Sequence, residues 1–552
     1  MKISKTLSLL LLVCLLIISA CSPIGSSDEG EVETTESKQA ASQEDVVPAV
    51  LSLWIAPYLP NSFTNQLVMP RDVLLSDNMQ TADLWLDVGT DNLVSTWVYV
   101  LVAPFPTIED KVTFSELKGF WQGKTDGEFP ASNLLVDGNT KAVLEKLWGS
   151  PSLDTVLLTS AEYILQRAWE TEESWAIIPF ERLEPHWRVI MIDGQSPIRK
   201  NFDPQKYLLR VPFSLSGKKE VLDAFNGILG KDDVGKFIPS CNRYTDKMTT
   251  VVMTGVTALV RGTAYLMERH GMTYPALNIG DILRDADITH ISNEIPFTPK
   301  CPTPFTNKAK EDALVFCSKP EYIDLLEAVG TDVVELTGDH FGDWGADAML
   351  YTLDMYKQRG WGYYGGGKNL EEGQQPLFIE HNGNRIAFLG CNAKSRGYAT
   401  ASESNPGAAF CDFDVMQQKI EEVKAKGYLP IVTFQSSEYY QYKASDYLKR
   451  DFHGVAEDGA VIVSGSQAHQ PQAFEFYHGA FLHYGLGNLF FDQYYEGLDQ
   501  RKAFIDRHVF YDGKYINTEL ITIVFVDMAQ TRLMTLDERD LLLHDVFNAS
   551  EW

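Results

Sequence analysis

Basic residues are scarce: 47 Lys and Arg stand against 75 Asp and Glu, a formal charge of −28 over 552 residues. A field of that sign repels phosphate backbones and anionic headgroups, so nucleic acid is excluded as a partner, as is membrane binding through a basic face. Cysteine is sparse as well, with seven in the chain, and no CxxC or Cys/His cluster has zinc-site spacing. The glycines Gly365 to Gly367 are not followed by the Lys-Ser/Thr of a phosphate loop.

The apolar stretch Leu9 to Ile18 is too short to span a bilayer. It follows Lys2 and Lys5 and runs into Ser19, Ala20 and Cys21, the order a lipoprotein signal peptidase reads. Residues 1–20 are therefore expected to be removed and Cys21 to carry the lipid, which places the protein outside the cytoplasm, anchored to the cell membrane. Residues 21–46 are rich in Ser, Thr, Gln and Glu and cannot bury enough apolar surface to fold, so they read as a flexible acidic linker. In an oxidising compartment Cys301 with Cys317, and Cys391 with Cys411, suit local disulfides, although spacing alone does not set the connectivity. Cys241 is then left over.

About 500 residues of globular composition remain, enough for two domains, taken as 47–244 and 247–552. In the first, strand-like runs such as LVSTWVYVLVAP alternate with helical stretches, an α/β pattern. Val112, Thr113, Leu117, Trp121 and Gly123, followed by the strand Ile177 to Phe180, resemble type 2 periplasmic solute-binding domains of the phosphate-binder kind. That resemblance implies a small solute gripped by helix N-termini and hydroxyls, with Thr107, Thr113, Ser115 and Ser196 near the expected turns. The same residues can equally serve as caps or turn formers.

The second half shows short β-rich runs that end in polar residues and are separated by helical periods, which puts those polar ends on one rim of a sheet. Six runs occur in order: Gly255-Val256; Ala286-Asp287 with Ser292-Asn293-Glu294; Gly338-Asp339-His340 with Asp343; Phe434 to Glu438; Gly465 to His469; and Gly485 to Asn488 with Phe491-Asp492-Gln493. They resemble the CapA family of capsule synthesis and poly-γ-glutamate biosynthesis, and so imply a metallophosphatase-like α/β sandwich after a periplasmic-binding-protein-like domain. Against the family pattern Val256, Ser292, Asp339, Phe434, Ser466 and Gln467 are replacements, and Phe434 stands where a histidine is expected. Losing several donors should abolish a two-metal site. Glu294, Asp339, His340, Glu438 and His469 can still hold one hard divalent ion, with Asp339 and His340 catalytic. Asp339 and His340 could instead form an acid/base pair without metal. Arg261 and Asn488 are the candidates for substrate contact.

Two functions fit these residues. One is a CapA-like factor, possible hydrolase included, working on a capsule or envelope polymer such as poly-γ-glutamate or polysaccharide. The other is a non-catalytic surface lipoprotein that binds a solute or polymer.

Overall fold

The computed structural model describes residues 50–127, 129–229, 234–305, 314–394, 397 and 400–552. The signal segment 1–20, Cys21 and the linker 21–46 lie outside the described residues. Among the described residues no helix is long and apolar enough to cross a membrane.

The strands of the first large sheet are β1 (Leu51–Ile55), β2 (Val73–Leu75), β3 (Leu84–Val88), β4 (Leu93–Pro104), β5 (Asn133–Val136), β6 (Val156–Leu158), β7 (Ser174–Pro179), β8 (Trp187–Val189) and β9 (Arg210–Gly217). They build one sheet in the order β2-β1-β3-β9-β4-β7-β5-β6, with β8 also paired to β4. The sheet has two lobes, because β1, β2 and β3 run parallel at one end and β5, β6 and β7 at the other. β4 belongs to both: its early residues pair with β9 and its later residues with β7 and β8. Strands of this kind are buried on both faces, which is why β4 and β7 read as near-continuous apolar runs.

Thirteen strands of the second half form the paths of two further large sheets. In chain order they are β10 (Met248–Thr254), β11 (Ile288–Asn293), β12 (Val333–Glu335), β13 (Gly362–Tyr364), β14 (Leu377–His381), β15 (Asn384–Asn392) and β16 (Leu429–Gln435). They continue as β17 (Ile462–Ser464), β18 (Phe474–Tyr477), β19 (Ala480–His483), β20 (Lys502–Tyr511), β21 (Lys514–Phe525) and β22 (Thr531–Leu533). One sheet runs β13-β12-β11-β10-β20-β21-β22 and the other β14-β15-β16-β17-β19-β18. The two pack face to face through Val251, Met253, Val333, Phe388, Ile431 and Phe481. Side chains that alternate away from this layer, such as Val252, Ile291 and Val334, meet helices Arg261–His270 and Gly345–Arg359. On the other side Val432 and Val463 meet helices Phe413–Ala425 and Asp446–Asp458. The period-2 alternation of the strands thus produces helix, sheet, sheet and helix layers, an α/β sandwich.

No sheet takes strands from both sides of residue 245, yet Ala49–Trp552 form one compact unit. The join is a packed one. Phe105, at the end of β4, is fully buried among rings of the second half, with centroids 5.3 Å from Phe476, 5.4 Å from Phe481 and 5.9 Å from Phe474. Glu519 on β21 accepts from both Arg199 and Arg507, and the Asn517 amide donates to the Trp187 carbonyl at 2.6 Å. Truncating a buried Phe typically costs about 3–5 kcal/mol. Phe105→Ala should therefore lower the midpoint of one shared unfolding transition, seen as coincident urea curves by fluorescence and far-UV circular dichroism. Two separated transitions in the wild type would contradict the welded interface.

Candidate functional site

The parallel strands of both sandwich sheets point their carboxyl ends at one rim, where α/β folds gather their polar groups. Glu294 follows β11, Asp339 and His340 follow β12, Glu438 follows β16, and His469 follows β17. A Cβ on Gly338 would stand 2.7 Å from the Cα of Glu294, so only glycine lets the Asp339 turn come this close.

Glu294, Asp339 and His340 each offer a ligand atom within 4.8 Å of the others. His340 Nδ1 lies 2.8 Å from Asp343 Oδ2, which leaves Nε2 as its available nitrogen. Asp343 is itself fixed, because the Phe316 backbone N–H donates to the same oxygen at 2.7 Å. Phe316 adjoins the Cys301–Cys317 disulfide and its ring lies 4.6 Å from the imidazole, so the Phe316–Cys317 segment buttresses the site.

Burial disfavours the charge on His340, but the Asp343 hydrogen bond and the Glu294 and Asp339 carboxylates outweigh it and push its pKa to about 9. Asp339 is depressed: burial raises it, while His340 and Lys394 lower it further than burial lifts it. Glu294 is driven up to about 8, chiefly by burial. Neither of its carboxyl oxygens meets an N–H or O–H of another described residue, so it can bond to Asp339 only by carrying a proton itself. Those orphaned oxygens, with Asp339 and the free imidazole nitrogen, are an oxygen-rich donor set that suits one hard divalent ion.

Glu438 and His469 do not join this trio. They pair with each other, His469 Nε2 lying 3.8 Å from Glu438 Oε1, and Lys394 bridges the two groups at 2.6 Å from Asp339 Oδ2 and 3.3 Å from Glu438 Oε1. The five-residue set read from the motifs is thus a trio and a pair with an ammonium between them.

Asn488 is fully buried and is not a substrate contact: its oxygen meets His469 Nδ1 at 2.9 Å and its amide donates to the His469 and Gln500 carbonyls. The tertiary contacts use up the side chain in orienting His469. Arg261 stacks on Phe316 at 4.6 Å and on Phe491 at 5.4 Å, one ring away from His340, with its backbone at φ 53°. A left-handed non-glycine residue at a rim is the kind of strain that accompanies function.

Phe434 faces the helical layer, with Phe452 5.4 Å away. Strand alternation gives the rim position to its neighbour Gln435, which donates to Asp339 Oδ1 at 3.3 Å. The replacements Ser466, Gln467 and Ser292 form hydrogen bonds: Ser466 donates to Glu335, and Gln467 to Ser292 at 2.6 Å. Glu335, Lys394 and Gln435 escaped the sequence reading. Lys394 stands two residues beyond the strand that ends at Asn392, and Glu335 interrupts an otherwise apolar strand; those were the available signals.

A second site lies between the lobes of the first sheet. A cavity of about 390 Å³ is lined by Tyr99, Asp137, Thr140, Ser160 and Arg182 among others. Asp137 caps helix Gly138–Trp148 by accepting from the Thr140 N–H at 2.7 Å, and it lies 3.6 Å from Arg182. The Tyr99 hydroxyl is buried without a well-formed hydrogen bond. Thr107, Thr113, Ser115 and Ser196 do not line this cavity, and Thr113 instead caps helix Phe114–Trp121.

Residues 250–493 match the family described as Bacterial capsule synthesis protein PGA_cap. The capsule biosynthesis protein CapA of Bacillus anthracis is 26% identical over 260 residues, 46% of this chain and 62% of that protein. The PGA biosynthesis protein CapA of Bacillus subtilis is 23% identical over 257 residues, 46% of this chain and 66% of that protein. The chain thus spans just under two thirds of each relative's length. These matches agree with the similarity read from the six motifs: residues 250–493 are similar to the CapA proteins of capsule synthesis. Among solved structures, an ABC-type phosphate transport receptor from Vibrio cholerae is 13% identical with a TM-score of 0.24, over 29% of this chain and 78% of that one.

His340, raised to about 9 from an ordinary 6.5, stabilises the fold fully below about pH 6.5 and loses that contribution as pH rises through about 9. Glu294, raised to about 8, acts in the same direction, whereas depressed Asp339 loses its contribution as pH falls into the ordinary Asp range. With chelator present, stability should fall between pH 7 and 10. Asp343→Asn should bring the His340 titration, followed by imidazole C–H NMR shifts, back towards the ordinary histidine range.

Proposed function

We propose that this chain is an extracytoplasmic lipoprotein, tethered through Cys21, that serves the synthesis of a capsule or envelope polymer, poly-γ-glutamate or polysaccharide, and that its rim site acts hydrolytically on the polymer with one divalent ion. The observation that carries the reading is the trio Glu294, Asp339 and His340 at the carboxyl ends of β11 and β12. The capsule-family match over residues 250–493 supports the polymer class.

In this reading the trio holds the ion, which when bound would supply Lewis-acid polarisation of an acyl or phosphoryl oxygen and a more acidic water. The chain's own groups do the rest. Asp343 accepts from His340 Nδ1–H and so holds the neutral imidazole in the tautomer that leaves Nε2 for the ion. Arg261, rigidified between two rings, offers a fixed cation to an anionic polymer in a protein whose overall charge would repel one. Elemental analysis of the purified protein beside the Asp339→Ala, His340→Ala variant is the test. About one divalent ion per chain, lost in the variant together with any cleavage of poly-γ-glutamate or phosphoester probes, is the expected result. A metal-free, inactive wild type would overturn it.

One observation favours solute binding as a second reading: the cavity between the lobes, where the buried Tyr99 hydroxyl and the Arg182 guanidinium line the wall beside the N-terminus of helix Gly138–Trp148. Such a setting suits a small anion. Calorimetry with inorganic phosphate and with glutamate should give saturable heat for one of them, reduced about tenfold or more in affinity by Arg182→Ala, since a charge-assisted contact of this kind contributes about 1.5–3 kcal/mol. Absence of binding to either probe would count against this reading.

A further inference from the structure

We propose that Lys394 is the built-in cation of the rim: its ammonium takes the position of an ion on the Glu438 and His469 side and limits the site to one exchangeable ion beside Glu294, Asp339 and His340. This deepens the one-ion reading above and rests on its placement of the site.

The geometry starts from His469. Asn488 donates both of its amide hydrogens, to the carbonyls of His469 and Gln500, so the group facing His469 Nδ1 at 2.9 Å is an oxygen. Nδ1 therefore carries the proton, and a neutral imidazole presents the Nε2 lone pair to the Glu438 carboxylate at 3.8 Å. An imidazole lone pair, the Glu438 carboxylate and the buried Asp339 carboxylate then converge on one region. Acceptors in that arrangement repel unless a cation joins them. The Lys394 ammonium is that cation, 2.6 Å from Asp339 and 3.3 Å from Glu438.

Its position is built. Lys394 leaves the end of β15, where the Asn392 side chain accepts from the Lys394 N–H at 3.0 Å and donates to the Thr337 carbonyl at 2.9 Å. The Cys391–Cys411 disulfide fastens the same strand end. The Lys394 side chain is 19% exposed and that of Asp339 only 2%, so solvent screens the pair weakly. On the Glu438 side, Tyr440 donates to the second carboxylate oxygen at 2.9 Å. An ammonium has one charge and three hydrogens and cannot act as a Lewis acid, so this half of the rim can bind and orient an acceptor-rich group but cannot supply a second activated water.

Mn²⁺ titration by calorimetry, with elemental analysis, of the full-length wild type and of the Lys394→Met and Lys394→Arg variants tests the assignment. Removing a fixed positive charge a few ångströms from the ligand carboxylates should tighten Mn²⁺ by about tenfold or more, or add a second ion per chain. Lys394→Arg, which keeps the charge, should match the wild type. Unchanged affinity and stoichiometry in Lys394→Met would overturn the proposal, as would an Arg variant that behaves like the Met variant. Should Lys394→Met not fold, Lys394→Gln takes its place with the same expectation. A wild type that binds no Mn²⁺ beside a Met variant that does would remove the one-ion reading and keep the built-in cation. One ion in the wild type, unaffected by Lys394→Met, would do the reverse.

Discussion

A carboxylate as deeply buried as that of Asp339 stays ionised only where positive charge is brought to it, because the low-dielectric interior otherwise returns its proton. His340 and Lys394 bring that charge from two directions, one from the same turn and one from the neighbouring sheet. The two sheets must therefore lie in a fixed register, and the aromatic layer between them, with Phe388, Phe474 and Phe481 at its centre, holds it. The buttresses around the rim serve the same balance. Asp343 and Phe316, beside the Cys301–Cys317 disulfide, hold His340, and Asn392 with the Cys391–Cys411 bridge holds the Lys394 backbone.

The replaced motif positions show how a rim can lose donors without leaving holes. Ser466 and Gln467 give hydrogen bonds to Glu335 and Ser292 between the sheets, so that part of the interior is a hydrogen-bonded cluster of hydroxyls around a carboxyl raised by burial. The Glu335 carboxyl accepts from the Ser466 and Thr337 hydroxyls, which offsets the cost of burying it.

The first sheet is joined to this sandwich through Phe105 and through the Arg199 to Glu519 ion pair. A cavity between two lobes ordinarily relies on lobe motion for access. Here β4 belongs to both lobes and ends in the core of the second half, so movement in one half is mechanically linked to the other.

Several properties were legible residue by residue. The two α/β halves followed from runs such as TTVVMT and LVSTWVYVLVAP, because central strands covered on both faces read as near-continuous apolar runs. The two disulfides join the cysteine pairs that flank local loops, and the rim residues Glu294, Asp339 and His340 came from the six motifs that resemble the CapA family. What the chain order could not convey is which strand ends meet. Lys394 is 55 residues from Asp339, and only the packing of β15 and β16 opposite β11 and β12 brings its ammonium between the trio and the Glu438 and His469 pair. Likewise Gln435 rather than Phe434 faces the rim because strand alternation in the folded sheet assigns the faces, and Asn488 holds His469 because both are buried together. Periodicity and composition are local properties and can be read along a chain; charge balance in a buried site depends on distances between segments, and those exist only once the sheets have packed.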